Sequence, residues 1–525
     1  MALYDHIIIG SGINALVCAA ILSKRSRVLV LEREAVIGGT MRTETLAEGF
    51  TYDPLAATFV LFHASPAFAA LQEPLSAEGA TFSRTDSPTG VLMPDGRALV
   101  LKTDRSANAA AFDALADGDG ARYLAEMGGI DRNAELLFGL FNNKLASFKA
   151  ARLLVRQAFK MGPRGIKTFF AHALYPNRRR LTKTYRSDLV QALFAPWPLH
   201  AGLNPEQPFS GQMGAVIAYA LEAMGAPIVT GGAARVPAAL RAIIEKNNGA
   251  VRTGADVAAI LPGSDGRAIA GVRLADGEEI SAPSVICSVT PTQLYGRLLA
   301  GWDLPQAVHE ETARYQYGKG NMQIHYALDR PVAWADPSLR DVQLLHLTDG
   351  IDAVSKATNE AERGMLPAVP TVCIGQPAAA DPSRAPDGKA VLWIQLSECP
   401  TTIRGDAGGT IDIPADGAWT EAVREAYADR VEAMIEAHVP GFRDTVIARK
   451  ALSPADINAM NINLVGGDPY AGWCGLDQFF LFRPLPQHDN YRTAVKGVYM
   501  IGAATHPGPG LSGTSGFLLA NDLKS

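Results

Sequence analysis

Residues 4–24, YDHIIIGSGINALVCAAILSK, decide the fold. The run at 4–9 is apolar, β-branched and of strand length. Gly10-Ser11-Gly12-Ile13-Asn14-Ala15 follows, and then an apolar stretch of helical length. This is G-x-G-x-x-A between a strand and a helix. Gly10 allows the tight turn, Gly12 lets a pyrophosphate approach the backbone, and Ala15 lets helix and strand pack closely. The start of the helix offers unpaired amides to phosphate. A second strand, RVLVL at 27–31, ends in Glu32, with Arg33 beside it. Glu32 lies where an acidic side chain of such a domain binds an adenosine ribose. Strand, glycines, helix, strand and acid in this order predict a Rossmann-type dinucleotide site in an α/β fold.

The next segment, EAVIGGTMRTE at 34–44, places Gly38 and Gly39 three residues before Arg42. Two glycines bring backbone close to a cofactor, and an arginine neutralises phosphate charge. Three later segments return to the same sheet. IVTGGAARVPAALRAIIEKNNGAVRTGADVAAI at 228–260 reads as glycine turn, helix (236–246), stop and strand. Arg267-AIAGVRLADGEEI reads as a hairpin with an Asp276-Gly277 turn, and VICSVTP from Val285 as a buried strand. RTAVKGVYMIGAATHPGPGLSGTSGFLLAN at 492–521 is a strand, a Gly- and Pro-rich loop from Gly502, and a helix from about Ser512. Amides at Leu511, Ser512 and Gly513 are placed to stabilise negative charge on a bound ring system.

GGTMR resembles the second FAD signature of the amine oxidase and phytoene desaturase superfamily, and GAATHPGPGLSG at 502–513 resembles the corresponding loop of phytoene desaturases. MNINLVGGDPYAGWCGLDQFFLFRPLP at 460–486 is similar to phytoene-dehydrogenase-related flavoproteins of the pyridine nucleotide-disulfide oxidoreductase domain-containing protein 2 type. The resemblance implies non-covalent FAD, with Gly10, Gly12, Ala15, Glu32, Arg33, Gly38, Gly39, Arg42, Val257 (at the adenine), Gly502, Ala503, Leu511, Ser512 and Gly513 around it. Many relatives carry an acid where this chain has Ala503, so that contact must come from backbone or elsewhere. The implied architecture is a FAD-binding domain (1–54, 226–300, 485–525) interleaved with a mixed-sheet substrate domain (55–104, 301–484) and a helical lid or membrane-facing subdomain (105–225).

The implied chemistry is oxidation of an apolar, isoprenoid- or carotenoid-like substrate. A hydride passes to the flavin, and oxygen or a quinone takes the electrons. A flavin amine oxidase, a redox-neutral isomerase and a flavin-bound interaction protein without turnover are the alternatives. The cofactor carries the hard step, so few side chains need be catalytic. His506, in the flavin loop, is the candidate proton carrier, with bracing of that loop as its other role. Asp477 is expected to pair with Arg483 or cap a turn. Phe479, Phe480, Phe482, Tyr470, Trp473 and His325 are candidate pocket residues.

The 525 residues are 48% hydrophobic with net charge −5, ordinary for a globular chain and without the basic field of a nucleic-acid binder. Cys18, Cys287, Cys373, Cys399 and Cys474 are scattered, with no CxxC pair, so neither a metal site nor a disulfide framework is expected. Free thiols, no signal-like start and no long apolar run predict a cytoplasmic protein, peripheral at most on the inner face of a membrane. Residues 151–186 carry ten Lys or Arg and no acid among apolar residues. That pattern suits an anionic lipid surface, a solvated face or a subunit contact in a homo-oligomer, and the readings stay open. Stretches 350–365 and 400–416 are expected to be surface loops or lid material.

Overall fold

Four distant pieces of the chain supply one parallel sheet. Its strand order is Val498–Met500, Val285–Cys287, His6–Ile9, Val28–Leu31, Gly249–Arg252. The computed structural model describes residues 4–264, 268–488 and 490–523; Arg267 of the expected hairpin lies outside them. The central strands are apolar on both sides because both faces are covered. Helices Ile13–Leu22, Arg235–Lys246 and Thr514–Asp522 cover one face. Gly516 makes the closest of these packings possible: a Cβ there would lie 1.9 Å from the Asn14 carbonyl oxygen. Antiparallel strands Val257–Pro262, Ile269–Leu274 and Glu279–Ser281 contribute to the cluster on the other face.

The second large sheet has seven strands, ordered Val446–Leu452, Gly320–Leu328, Ala390–Cys399, Val372–Gly375, Leu344–Leu347, Thr89–Leu92, Ala98–Leu101. All neighbours are antiparallel except the Thr89–Leu92/Leu344–Leu347 pair. Its two faces differ, following the period-two rule of a strand. Met322, Ile324, Leu392, Ile394 and Leu396 pack under helix Glu421–His438, while Gln323, Trp393 and Gln395 face a cavity. Six α-helices run between residues 105 and 224.

One buried cluster ties the pieces together. The Arg384 guanidinium bonds Asp53 (2.9 Å) and Asp381 (2.8 Å) and donates to the Val229 carbonyl. Asp53 also accepts from Thr43 and the Ala233 amide, and Asp381 from the Gly231 amide.

Two expectations change here. Residues 350–365 are not a loop: Ile351–Glu362 is a helix, with Val354, Ala357, Thr358 and Ala361 buried along one face. The basic stretch 151–186 is not one continuous surface. Arg180 is buried in a two-pronged pair with Glu126, and Arg178 bonds Glu206 and Asp352. Those cations belong to the folded body. Helix Phe148–Ala173, broken at Gly162, keeps most of its cations open, Arg156 alone among them pairing with an acid (Glu135) among the described residues.

Candidate active site

Helix Ile13–Leu22 starts at Gly12, whose extended backbone (φ −64°, ψ 168°) turns the chain from strand to helix. The amides of Gly12, Ile13 and Asn14 donate to nothing among the described residues, and all three residues line a cavity of ≈ 500 Å³. Unpaired amides at a helix start are an anion site. A Cβ on Gly12 would meet no atom within 4 Å, so the chain itself does not require glycine there. Gly39 faces it: a Cβ on Gly39 would lie 3.3 Å from the Gly12 Cα. Gly38 is fixed differently, by φ +111° and a Cβ position 2.6 Å from the Met41 carbonyl oxygen.

Glu32 holds this cradle. Its Oε2 accepts from the Ser11 amide (2.9 Å) and hydroxyl (2.6 Å), and its Oε1 from the Glu34 amide (2.9 Å). Ser11 Oγ in turn accepts from the Gly38 amide, which joins the two glycine motifs. Arg42 donates to the carbonyls of Gly39 (3.0 Å) and Met460 (3.1 Å), so the 460–486 segment is fastened to the same cradle. Val257 begins its strand at the far end, where Arg297 donates to its carbonyl (2.9 Å).

The last loop closes the other end. The Gly502 amide donates to Ser515 Oγ, which donates to Asn14 Oδ1. Gly10, Gly12, Glu32, Arg33, Gly39, Arg42, Val257, Gly502, Ala503, Leu511 and Ser512 all line the one cavity. Ala15, Gly38 and Gly513 stand behind its wall. Ala15 is fully buried, and Gly513 is the left-handed residue (φ 69°) that starts helix Thr514–Asp522. The Ser512 amide is already used by the Gly510 carbonyl (3.0 Å), so in that trio only the amides of Leu511 and Gly513 have no partner among the described residues. Arg483 donates twice to the Ala503 carbonyl (2.9 and 3.1 Å), and also to Tyr470 O and Trp473 O. The expected Asp477–Arg483 pair does not form; Asp477 accepts from the Trp473 indole instead.

His506 does not line the cavity. Its Nε2 lies 3.0 Å from the Leu140 carbonyl and 3.1 Å from that of Asn143. Carbonyls only accept, so Nε2 carries the proton and the ring braces the end of helix Asp119–Phe141. Burial pulls its pKa down to about 4, which keeps it neutral. This geometry is that of the bracing role. His325 is likewise off the cavity, buried against the Tyr52 ring at 4.5 Å. Of the aromatic candidates, Phe479 and Tyr470 line the cavity; Trp473, Phe480 and Phe482 do not.

The remaining wall comes from residues that sequence reasoning passed over. Phe138, Phe141, Met213, Val216, Ile217 and Leu221 give an apolar side from the helical region. Trp197, His200, Asn321, Gln323, Trp393 and Gln395 give a polar but uncharged side. Period-two alternation in 320–328 and 390–399 was the available signal for the latter. Among the described residues, every charged one lining the cavity (Glu32, Arg33, Glu34, Arg42, Asp256, Arg297) belongs to the dinucleotide sheet, its following turns or the 285–298 segment.

A family profile described as flavin containing amine oxidoreductase matches residues 16–426. Pyridine nucleotide-disulfide oxidoreductase domain-containing protein 2 of Mus musculus is 27% identical, over 99% of this chain and 94% of its own length. The zeta-carotene-forming phytoene desaturase of Myxococcus xanthus is 23% identical, over 96% and 90%. A crystal structure of putrescine oxidase bound to putrescine superposes with a TM-score of 0.61 at 14% identity, covering 99% of each chain. The cradle fits the cofactor of that fold: free amides and an open Gly12 for the pyrophosphate, Glu32 for the ribose, and a closing helix start at 511–513. The chain belongs to the flavin containing amine oxidoreductase family and is an FAD-dependent oxidoreductase.

Proposed function

We propose that this oxidoreductase dehydrogenates a largely apolar, isoprenoid-like substrate, introducing a C=C bond. Bound FAD supplies the acceptor for the hydride of a substrate C–H; a proton leaves to solvent, and oxygen or a quinone removes the two electrons. The chain's part is to hold the substrate and exclude water. One observation carries the reading. Outside the dinucleotide end, no Asp, Glu, Lys or Arg lines the cavity among the described residues, and the helical wall is Phe, Met, Val, Ile and Leu. A cationic amine would be buried there without a counter-charge, at a cost of several kcal/mol. This favours dehydrogenation at carbon over oxidation of a charged amine. The test is anaerobic mixing of holoprotein with apolar alkenes and with alkyl amines. Loss of the yellow flavin absorbance with the former alone is expected; bleaching by amines alone overturns the reading.

We infer further that helix Phe148–Ala173 rests on an anionic lipid surface. Phe148 (82% exposed), Val155 (55%) and Phe159 (86%) form a stripe opposite buried Ala150 and Gln157. Lys149, Arg152, Lys160, Arg164 and Lys167 make no ion pair among the described residues, and the helix holds no acid. An exposed aromatic stripe flanked by unpaired cations is the pattern of an interfacial helix. Phe138 and Phe141 of the preceding helix line the cavity, which brings this face near the substrate wall. No helix among the described residues is long and apolar enough to cross a membrane.

A further inference from the structure

The polar side of the cavity is built as a plate. Four neighbouring strands place His346, Cys373, Gln395 and Gln323 in one cross-strand row, partner beside partner. Leu344, Gly375 and Trp393 form the next row on the same face. The indole of Trp393 lies across Gly375, where a Cβ would sit 2.0 Å from the ring. Asn321 continues the face by alternation along its strand. The side chains of Gln323 and Gln395 make no hydrogen bond among the described residues, and Asn321 Oδ1 is buried without a partner. All three residues line the cavity. Gln323 and Gln395 thus present open amides to the cavity, and a ligand that pairs them gains hydrogen bonds that a purely apolar one does not make.

His200 reaches the end of this row from the short helix Trp197–Ala201, with its Nε2 3.0 Å from His346 Nε2. Burial pulls His200 down to about 4 and His346 well below its ordinary value, so both rings are neutral and one must donate to the other. His346 Nδ1 is buried with no partner. A bare nitrogen is tolerated there more readily than an orphaned N–H. His346 therefore donates through Nε2, and His200 carries its own proton on Nδ1. His200 lines the cavity, so the row ends in a neutral N–H donor.

We propose that this plate is a substrate subsite for one uncharged oxygen function, a carbonyl or a hydroxyl, on an otherwise apolar molecule. Gln323 and Gln395 supply donors and acceptors, and His200 a donor. A carboxylate or an ammonium finds no counter-charge on this wall. The inference rests on the apolar-substrate reading and adds to it that the substrate is not a plain hydrocarbon.

The test uses the oxidised holoprotein and five probes of one chain length: decane, 1-decanol, 2-decanone, decanoate and decylamine. Binding is read from the shift in the flavin absorption spectrum, without turnover. Decanol and decanone should bind about tenfold tighter than decane, the worth of one hydrogen bond in an apolar cavity. Decanoate and decylamine should gain nothing over decane. In Gln323→Leu/Gln395→Leu the preference for the oxygenated probes should vanish while decane binding, FAD content and melting temperature persist. A melting temperature that falls is answered by the single Gln395→Leu variant, which should still lose most of the preference. Equal binding of decane and decanone by the parent protein overturns the inference and leaves the apolar reading standing. Preference that survives both variants overturns it too. Failure of all five to bind overturns both.

Discussion

Gly12 separates what the fold requires from what the cofactor requires. Its φ of −64° suits any L-residue, and an added Cβ would meet no protein atom within 4 Å. Gly12→Ala should therefore leave the apoprotein as stable as the parent, or more stable by about 0.4–1 kcal/mol through the less flexible unfolded chain. The same methyl projects into the cradle where the unpaired amides of Gly12, Ile13 and Asn14 would hold the pyrophosphate. Losing even two such charge-assisted bonds costs about 3–6 kcal/mol, on the order of 100- to 10,000-fold in affinity. Gly38→Ala is the control. With φ +111° and a Cβ position 2.6 Å from the Met41 carbonyl, it should damage the fold with or without FAD. The assay pairs flavin-to-protein absorbance after gel filtration with the melting temperature of the deflavinated protein. Full FAD occupancy in Gly12→Ala, or an apo melting temperature far below the parent's, would refute the placement of the pyrophosphate.

Arg384→Met should destabilise by about 3–5 kcal/mol, because Asp53 and Asp381 stay buried without a counter-charge; a melting temperature within a degree of the parent's would count against that cluster as a brace. His506→Ala should lower the melting temperature and loosen FAD while flavin reduction per bound FAD stays near normal, since two carbonyls at a helix end lose their donor; a hundredfold slower reduction would restore the proton-carrying role. Burial holds His200, His488 and His506 near pKa 4, below the ordinary 6.5 of the unfolded chain. The unfolded state then binds more protons between those values, so stability is full above about pH 7 and falls as pH drops, by about 1 kcal/mol per histidine at about pH 5.5. Melting curves flat from pH 7 to 5 would contradict this. Changing Lys149, Arg152 and Lys160 to Gln should weaken flotation with anionic vesicles by on the order of 100-fold, at about 1 kcal/mol per cation; unchanged flotation would move the helix's exposed face to a protein contact.

The cofactor half was legible because its rules are local. Backbone geometry and close approach dictate glycine at 10, 38 and 39, and a strand end dictates where Glu32 stands. The substrate half is written in long-range pairing. Nothing within residues 320–400 announces that His346, Cys373, Gln395 and Gln323 share a row, because three separate registers decide it. Helix Ile351–Glu362 was missed for another reason: its buried face is Val, Ala, Thr and Ala, which gives weak apolar periodicity after Gly350. The surroundings of His506 were not legible because the carbonyls that face its ring belong to residues more than 360 positions away. The basic stretch looked uniform because acids such as Glu126, Glu206 and Asp352 that neutralise part of it lie elsewhere in the chain.

The most direct test of the dehydrogenase reading is a single turnover without oxygen. Holoprotein is mixed with one equivalent of an apolar substrate bearing an oxygen function, flavin absorbance is followed, and the extracted product is weighed by mass spectrometry. The account predicts one flavin reduced per product formed, with the product two hydrogen atoms lighter than the substrate and carrying a new C=C bond. A product of unchanged mass, or full conversion with the flavin still oxidised, would contradict it.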